Sequence, residues 1–476
     1  MKKRICTVLL GLITIANVVG MSACGNKELT LPEKLDYSNS TKQLDMFAFY
    51  GPDEGRFHDG SPMGEGTDFR TKERYQEYKD CGFNILLLEN EAPYRGEAWD
   101  TSDVKMIMDI CHEIGLKVMV YDTRIWKMGT AGDLIGKTVD GNTFRSQADV
   151  NSVIADYMKD YSKHPAYYGV YIMDEPQGSQ IDSLFQCYIG VKAYTPDAYV
   201  HCCFIGDDSI SDKTWEYMTE NSLDVIGMDT YPWQFNRADG KKIILSTYLY
   251  HIQELATKCS QNDVDFSATT LACFGNNDSA AYPNGYTVGW RIPTDEELQW
   301  SMSTTLAFAP KKMGWYYYWE DSYAAIGQGA GIMSGTGEKL RYDKVQQLNL
   351  EAHKYMKAMA NFEFKGAHYY TETRRLPYYY LVDNSYQIPN ITCTDMENET
   401  LITHLVDEER GNTGYFLTNT TDPQDKETSK VTVAFKDCNA MVLYKDGEPS
   451  LVPLNDGKYT FTLGTAECCF VLPYKN

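Results

Sequence analysis

The chain has few positive charges for its length, and this shortage excludes one large class of proteins. Among its 476 residues, 44 Lys and Arg stand against 66 Asp and Glu, which gives a formal net charge of -22 at pH 7. Proteins that bind nucleic acid need clusters of Lys and Arg to neutralise the phosphates. We therefore expect no nucleic-acid partner.

Cysteine pairs with the spacing of metal or redox sites are also missing. The chain has 13 cysteines, but no two of them stand in a CxxC arrangement, so we predict neither a zinc site nor a redox site. Removing Cys6 and Cys24 leaves an odd number. Several others, such as Cys202, Cys203 and Cys273, lie in apolar runs, where a free cysteine behaves as a small hydrophobic residue. We predict no bound metal and no cofactor.

The longest apolar run lies at the N-terminus and is short for a membrane-spanning helix. Basic residues 2–4 precede it, and the small residues of "MSAC" lead to Cys24; this order is typical of an export signal. The "MSAC" ending resembles the lipobox of bacterial lipoproteins, which implies that Cys24 is lipidated and anchors the protein at the cell membrane or surface. Plain secretion is the alternative. We predict a signal over residues 1–24 and a polar linker over 25–42.

Strand-like and helical patterns alternate from residue 43 to residue 361. Eight apolar runs have the continuous hydrophobic character of parallel strands that are covered on both faces. They span residues 44–51, 83–90, 117–122, 167–175, 199–206, 223–232, 265–275 and 313–321. Eight strands with helices between them predict a (β/α)₈ barrel. An open doubly wound sheet is the alternative, but no glycine-rich phosphate loop follows the first strand.

The pattern changes at about residue 362, where short alternating segments begin. Segments such as "KVTVAFK" and "KYTFTLG" are separated by turn residues, which is typical of an antiparallel sandwich. We therefore predict a C-terminal all-β accessory domain over residues 362–476, without a catalytic cluster of its own.

Carboxylates and aromatic residues stand where the predicted barrel strands end. In barrels of this kind the catalytic groups lie at the C-terminal ends of the strands. The residues at these ends are Tyr50, Asp53, Glu89, Asn90, Glu91, Tyr121, Asp122, Arg124, Asp174, Glu175, Asp229, Tyr231, Trp233, Asn276, Asn277, Trp319, Glu320 and Asp321. No His is among them, which argues against a metal-dependent hydrolase or lyase.

Carboxylates and aromatic rings on one rim are what hydrolysis of a glycosidic bond requires. One acid protonates the leaving oxygen, and a second group attacks or stabilises the oxocarbenium-like carbon. Because Asp174 and Glu175 are adjacent, one of them has a raised affinity for a proton. Glu175 also ends a buried strand and is followed by Pro176, so we predict that it is the general acid.

Further residues of the rim are predicted to contact the carbohydrate. They are Glu89, Tyr121, Arg124, Asp229, Tyr231, Trp233 and Trp319. The two tryptophans would stack on sugar faces, and Arg124 would hold the acid or a carboxylated sugar. Asp229 would orient the sugar or the acid, and Glu89 would bind a hydroxyl group.

Two motifs resemble the (β/α)₈ glycoside hydrolases of clan A. "HPAYYGVYIMDEP" is similar to their fourth strand, where Asn-Glu-Pro carries the acid/base Glu. "KKMGWYYYWED" is similar to their eighth strand, where an aromatic platform often ends in Trp. The resemblance covers residues 43–361 and implies a retaining glycosidase that acts on oligosaccharides or polysaccharides, with Glu175 as its acid/base.

The sequence departs from the clan's pattern at two positions. Asp174 stands in place of the Asn, and "SATTLACFGNND" lacks the nucleophilic Glu of the seventh strand. Glu320 on the eighth strand is one candidate nucleophile. Alternatively, the Asp-Glu pair resembles the substrate-assisted N-acetylhexosaminidases, whose Asp orients a 2-acetamido group that attacks the anomeric carbon; Asp174 would then take that role. A non-catalytic glycan-binding lipoprotein is the remaining alternative.

Overall fold

A computed structural model of the chain contains a parallel barrel followed by an antiparallel sandwich. The residues it describes are 29–53, 68–89, 101–205, 215, 223–236, 242–245, 247–271, 288–320, 331–371 and 383–476. Several predictions fall outside them: the export signal, lipidation at Cys24, and the rim residues Asn90, Glu91, Asn276, Asn277 and Asp321. Among the helices within those ranges, none is long and apolar enough to cross a membrane.

Eight parallel strands form the barrel, which confirms the predicted fold class. They are β1 (Asp45–Ala48), β2 (Ile85–Leu88), β3 (Lys117–Val120), β4 (Tyr167–Asp174), β5 (Tyr199–Ile205), β6 (Val225–Asp229), β7 (Asp265–Leu271) and β8 (Lys312–Tyr316). Strands β2 to β8 pair in chain order, and β8 pairs with β1. Asn84 joins β1 to the start of β2, because its N–H donates to the Met46 carbonyl (3.1 Å) and its Oδ1 accepts from the Met46 N–H (2.7 Å).

Helices cover the outside of this barrel. The described ones are α1 (Lys72–Asp80), α2 (Thr101–Ile114), α3 (Thr123–Gly129), α4 (Gln147–Met158), α5 (Ile181–Tyr194), α6 (Tyr248–Gln261), α7 (Asp295–Leu306) and α8 (Tyr342–Met359). In α2 the buried residues Val104, Ile107, Met108 and Cys111 recur at helical spacing, so one face packs on the sheet.

Several short elements accompany the barrel strands and helices. Two short 3₁₀ helices span Glu33–Leu35 and Gly178–Gln180, a hairpin joins Thr138–Val139 to Asn142–Thr143, and a small antiparallel sheet contains Trp233–Asn236, Lys242–Ile244 and Val288–Trp290. The described cysteines are free thiols, and most of them are buried, as the apolar runs around them predict.

The C-terminal domain is built from antiparallel strands in two sheets. They are β9 (Glu363–Tyr370), β10 (Ile391–Glu397), β11 (Thr400–Asp407), β12 (Asn412–Asn419), β13 (Ser429–Phe435), β14 (Ala440–Lys445), β15 (Glu448–Pro453), β16 (Lys458–Leu463) and β17 (Cys468–Tyr474). One sheet has the order β9-β11-β12-β17-β14-β15 and the other β10-β13-β16. Along β13 the residues Val431, Val433 and Phe435 alternate with more exposed ones, which places an apolar core under this strand. Asp446 and Gly447 turn the chain into β15 with φ values of 51° and 74°, as a two-residue Asp-Gly hairpin requires.

The two domains contact each other through α7 and α8. Ser303 on α7 donates to the carbonyl of Ala466 (2.8 Å), and the Tyr355 hydroxyl on α8 donates to the carbonyl of Cys468 (3.1 Å). Phe362, just after α8, meets Phe470 edge to face with ring centroids 5.2 Å apart. These contacts lie on the outside of the barrel, away from its strand ends.

Part of the predicted linker is folded rather than free. Leu35 and Tyr37 are buried, and the Tyr37 hydroxyl donates to the Asp407 carboxylate (2.6 Å) while Arg410 lies 4.5 Å from the Tyr37 ring centre. Leu35 and Tyr37 therefore pack this part of the predicted polar linker against the protein. Because most residues of this stretch are polar, the sequence did not indicate that Leu35 and Tyr37 anchor it to the sandwich.

Candidate active site

The fourth barrel strand carries two carboxylates to the mouth of the barrel, defined here as the end where the strands finish. Residues 170–173 of β4 are buried, and the strand ends at Asp174. The N–H of Glu175 then donates to the carbonyl of Cys203 on β5 (2.8 Å). Glu175 has a φ of 45°, in the left-handed region that a residue with a Cβ occupies at a cost of roughly 1–2 kcal/mol. Strain of this kind, fixed by the surrounding fold, marks a candidate functional residue.

Asp174 is held by a buried tyrosine below it. The Tyr171 hydroxyl donates to Asp174 Oδ1 (2.5 Å), and its ring stacks on His201 with centroids 5.2 Å apart. Asp174 is exposed at the end of its strand, yet protein atoms surround its carboxyl. That burial, opposed by the Tyr171 hydrogen bond and assisted by the charge of Glu175, raises the pKa of Asp174 to about 6.

Asp229 brings a third carboxyl to the same place from the end of β6. Its side chain lies within hydrogen-bonding reach of Glu175, and its Oδ1 is buried without an N–H or O–H donor. The Tyr231 hydroxyl donates to Oδ2 over a long 3.4 Å. Burial, then the charges of Glu175 and Asp174, raise the pKa of Asp229 well above the ordinary range of an Asp. The ends of β4 and β6 therefore bring Asp174, Glu175 and Asp229 close together.

Tyrosine rings stand beside this group of carboxyls. Tyr231 and Tyr316, both half-buried, stack with centroids 5.7 Å apart and planes 27° from parallel. Tyr50 meets Tyr316 edge to face at 5.8 Å. Half-buried rings at the ends of β6 and β8 offer flat apolar surface next to the acids. Tyr231 was predicted from the sequence. Tyr316 was not, because the sequence analysis selected Trp319, three residues further along the chain.

The two predicted tryptophan platforms are buried. Trp233 is 0 % exposed and donates its Nε1–H to Ser301 Oγ (2.8 Å), and Trp319 is 1 % exposed and packs against Phe69 with centroids 4.8 Å apart. Neither ring presents a free face to a ligand in this arrangement, because the chain folds back after each strand. We therefore leave both out of the proposed site.

Arg124 is engaged by carboxylates on the outer side of the barrel. Its guanidinium donates to both Asp122 oxygens (3.0 and 2.8 Å) and to Asp160 (2.9 Å), and it lies 4.5 Å from the Tyr157 ring centre. Asp122 also caps α3 by accepting from the Arg124 N–H (3.0 Å). These contacts give Arg124 a structural role, and none of them orients its side chain toward Asp174, Glu175 or Asp229.

The remaining predicted residues line the barrel near its mouth. Glu320 is 3 % exposed, its N–H donates to the Met333 carbonyl (2.9 Å), and its Oε2 accepts from the Gly335 N–H (3.2 Å). Glu89 is buried directly after β2, and Tyr121, after β3, meets Tyr171 edge to face at 5.4 Å. Within the described residues, no group of three or more His, Cys, Asp or Glu is arranged to hold a metal ion.

Sequence reasoning missed the role of Tyr171. Under strict alternation along a strand, residues three apart point to opposite faces of the sheet, so Tyr171 and Asp174 would not meet. The pairing of β4 with β5 shifts register between Tyr171 and Met173. This irregularity brings the phenol and the carboxyl to the same side, and nothing in the alternation of the sequence indicates it.

Comparison with known proteins finds likeness in structure only. No protein family and no curated protein matches the sequence. A GH27 β-L-arabinopyranosidase from Geobacillus stearothermophilus superposes with a TM-score of 0.51 at 13% identity, over 92% of this chain and 98% of that one. A catalytic mutant of a GH42 β-galactosidase from the same organism gives 0.57 at 8% identity (92% and 99%), and a cold-adapted β-galactosidase from Rahnella sp. R3 gives 0.52 at 9% (91% and 99%). At these identities the likeness shows the fold.

Proposed function

We propose that the protein is a glycoside hydrolase whose acid is Glu175. The observation that carries the proposal is the crowding of Asp174, Glu175 and Asp229 at the mouth of the barrel. Crowded carboxyls hold a proton to higher pH than separate ones, and protonation of the leaving oxygen near neutral pH requires such a group. The half-buried Tyr231 and Tyr316 supply apolar surface for the sugar beside them.

The neighbours in structure support a carbohydrate substrate. The three solved proteins named above are glycosidases by their descriptions, and the GH27 enzyme is also known in complex with arabinose. A barrel of this fold hosts many chemistries through its strand-end residues. The proposed glycosidase activity therefore depends on the carboxyls of this chain, and the structural neighbours support a carbohydrate as its substrate.

In the first route that we propose, Glu320 is the nucleophile of a retaining mechanism. Glu175 gives its proton to the leaving oxygen while a Glu320 oxygen bonds to the anomeric carbon, and water then releases the sugar with Glu175 acting as base. Burial and the hydrogen bond from the Gly335 N–H fix the Glu320 carboxylate in one orientation. A fixed carboxylate suits attack at one carbon.

A specific observation favours a second, substrate-assisted route. Asp174 is oriented by the buried Tyr171 hydroxyl and lies directly beside Glu175. A carboxylate held in this way can orient a 2-acetamido group, whose oxygen bonds to the anomeric carbon as Glu175 protonates the leaving oxygen. This route needs no protein nucleophile, and it accounts for an Asp where the clan has an Asn.

We propose further that the enzyme is exported and lipid-anchored through Cys24. The basic, apolar and small segments at the N-terminus support this location. Cys24→Ser should release the protein from the membrane fraction and abolish incorporation of a labelled fatty acid. A wild-type protein that takes up no label would contradict the anchor.

The deciding experiment is hydrolysis of a panel of aryl glycosides, with and without a 2-acetamido group, by wild type, Glu175→Gln, Glu320→Gln and Asp174→Asn. Glu175→Gln should lower turnover by about 100-fold or more. If Glu320→Gln loses turnover on sugars that lack the acetamido group, the first route is supported. If Asp174→Asn loses turnover only on sugars that carry the acetamido group, the second route is supported.

The panel also tests the non-catalytic alternative. If the wild type hydrolyses no member of the panel but binds oligosaccharides in calorimetry, the protein is a glycan-binding lipoprotein and the proposed activity is wrong. Lys127→Gln is the control, because it removes a positive charge from the same helix as Arg124 in a pair with Asp140 that is largely exposed (44% and 46%). We expect its turnover to remain close to that of the wild type.

A further inference from the structure

Asp229 is the carboxyl of the mouth with the most unusual surroundings. Its Oδ1 is fully enclosed by protein, and no N–H or O–H group of the described residues donates to it. The polar group within hydrogen-bonding reach is the carboxyl of Glu175. Two carboxyl groups can hydrogen-bond to each other only when one of them carries a proton, so a proton on one member of this pair would give the enclosed Asp229 carboxyl a partner.

Among the described residues, the titratable groups that face Asp229 from the neighbouring strands are carboxyls, a thiol and phenols. Burial raises the pKa of the Cys203 thiol on β5, and burial and the charge of Asp229 raise that of the Tyr231 phenol after β6. Tyr316, at the end of β8, is a phenol stacked on Tyr231. On β4 the charged neighbours are Asp174 and Glu175 themselves. In this part of the structure, the charges that act on Asp229 are therefore those of Glu175 and Asp174.

We propose that Asp229 is a positioning residue that shares one proton with Glu175 and keeps Glu175 protonated for catalysis, instead of binding the sugar. The proposal rests on the assignment of Glu175 as the acid. In the resting pair, one proton lies between the two carboxyls. During the reaction that proton passes from Glu175 to the leaving oxygen, and both members are anionic until the attacking water returns a proton to Glu175.

The direction of the effect follows from the charges. An ionised Asp229 beside Glu175 disfavours a second negative charge, so the pair retains its proton as the pH rises. In Asp229→Asn that like charge is gone, and the amide N–H can donate to an ionised Glu175. The acid is then lost at lower pH, and the alkaline limb of the kcat/KM profile should move down by about one pH unit or more.

The test compares the pH profiles of wild type, Asp229→Asn and Asp229→Glu on the best aryl glycoside. We expect the ratio of Asp229→Asn to wild-type kcat/KM to fall as the pH rises, because the alkaline limb of the variant lies at lower pH, and we expect Asp229→Glu to move this limb part of the way back. The matched control is Asp265→Asn, because burial also raises the pKa of this carboxyl, which lies at the start of β7 at the other end of the barrel. Its alkaline limb should not move.

A second readout does not depend on turnover. At pH 7 the wild type should show the infrared band of a protonated carboxyl, and Asp229→Asn should lack it. Glu175→Gln should weaken the band as well, because the Gln amide favours the ionised form of Asp229. If the wild type hydrolyses nothing, the proposed function fails, and the infrared comparison alone decides whether the pair shares a proton.

Two results would overturn the proposal. One is an Asp229→Asn variant whose rate falls by the same factor at every pH, or whose KM rises while the alkaline limb stays in place; this would make Asp229 a sugar ligand or a purely structural residue. The other is an infrared spectrum at pH 7 that is the same for wild type and Asp229→Asn.

Discussion

The two ends of the barrel both enclose carboxylates, but they differ in what surrounds them. At the N-terminal end, called the floor here, the Asp45 carboxylate accepts from Lys312 Nζ (2.6 Å) and from the Tyr168 hydroxyl (2.5 Å). The Lys312 ammonium also lies 3.9 Å from the Tyr199 ring centre. The charge of this carboxylate is neutralised by a cation and its oxygen is hydrogen-bonded, so the floor has the composition of a structural ion pair.

At the mouth, the described side chains that act on Asp174 and Asp229 are other carboxyls and phenols. Burial and the charge of Glu175 raise the pKa of Asp174, and the Tyr171 hydrogen bond opposes that rise. Burial, then the charges of Glu175 and Asp174, raise the pKa of Asp229. Such crowding destabilises the fold, and it leaves a proton available near neutral pH. Within one barrel, a carboxylate that is paired with a cation stabilises the fold, whereas carboxyls that are crowded together can supply a proton for chemistry.

The largest expected effect comes from breaking the floor. Lys312→Met leaves Asp45 buried without its cation, since the two side chains are 8% and 11% exposed. We expect the free energy of unfolding to fall by about 3–5 kcal/mol, measured by urea denaturation. The double variant Asp45→Asn/Lys312→Met should recover most of that loss, because no charge is left unpaired. A single variant as stable as the wild type would contradict the structural role of the floor.

A smaller effect of opposite sign is expected at the mouth. Glu175→Gly removes the side chain from a residue with φ of 45°. Relief of that strain should raise the free energy of unfolding, whereas the greater freedom of glycine in the unfolded chain should lower it. We expect a net gain of about 0.5–1 kcal/mol. Glu175→Ala is the matched control, because it removes the same carboxyl as the Gly variant but keeps the Cβ and should not gain this stability. The Gly variant should be inactive, so that stability and activity separate.

The smallest effect is a dependence of stability on pH at Asp174. Its pKa is raised by burial to about 6 from 3.8, so the folded state holds this proton more tightly than the unfolded state does. The contribution of the protonated form is present below pH 4 and is lost as the pH rises to 6. Asp174→Asn should therefore raise Tm relative to the wild type at pH 7 but not at pH 3.5. An equal change in Tm at both pH values would show that burial does not shift this carboxyl.

The sequence allowed the fold to be predicted because the strands of a parallel barrel are buried on both faces and read as continuous apolar runs. The same reasoning placed Glu175 and Asp229 on one rim, since parallel strands end on the same side. The run from 167 to 175 matches a strand that ends at Asp174, and the run from 199 to 206 matches one that ends at Ile205.

What the sequence did not reveal lies after the strand ends. Trp233 begins a short antiparallel strand, and Trp319 forms an isolated bridge with Met333, so both rings fold into the interior. Arg124 lies in the first turn of α3, beside the Asp122 that caps it. Such contacts depend on the tertiary path of loops, which the pattern of apolar residues does not specify.

The most direct test of the central claim, that Glu175 is the acid of a glycosidase, is the dependence of its effect on the leaving group. Wild type and Glu175→Gln would be compared on aryl glycosides of one sugar whose phenols differ in acidity. A strongly acidic phenol leaves without help, so the ratio of wild-type to variant kcat/KM should be small for it and should rise to about 100-fold or more for weakly acidic phenols. A ratio that is the same for every leaving group would contradict the claim.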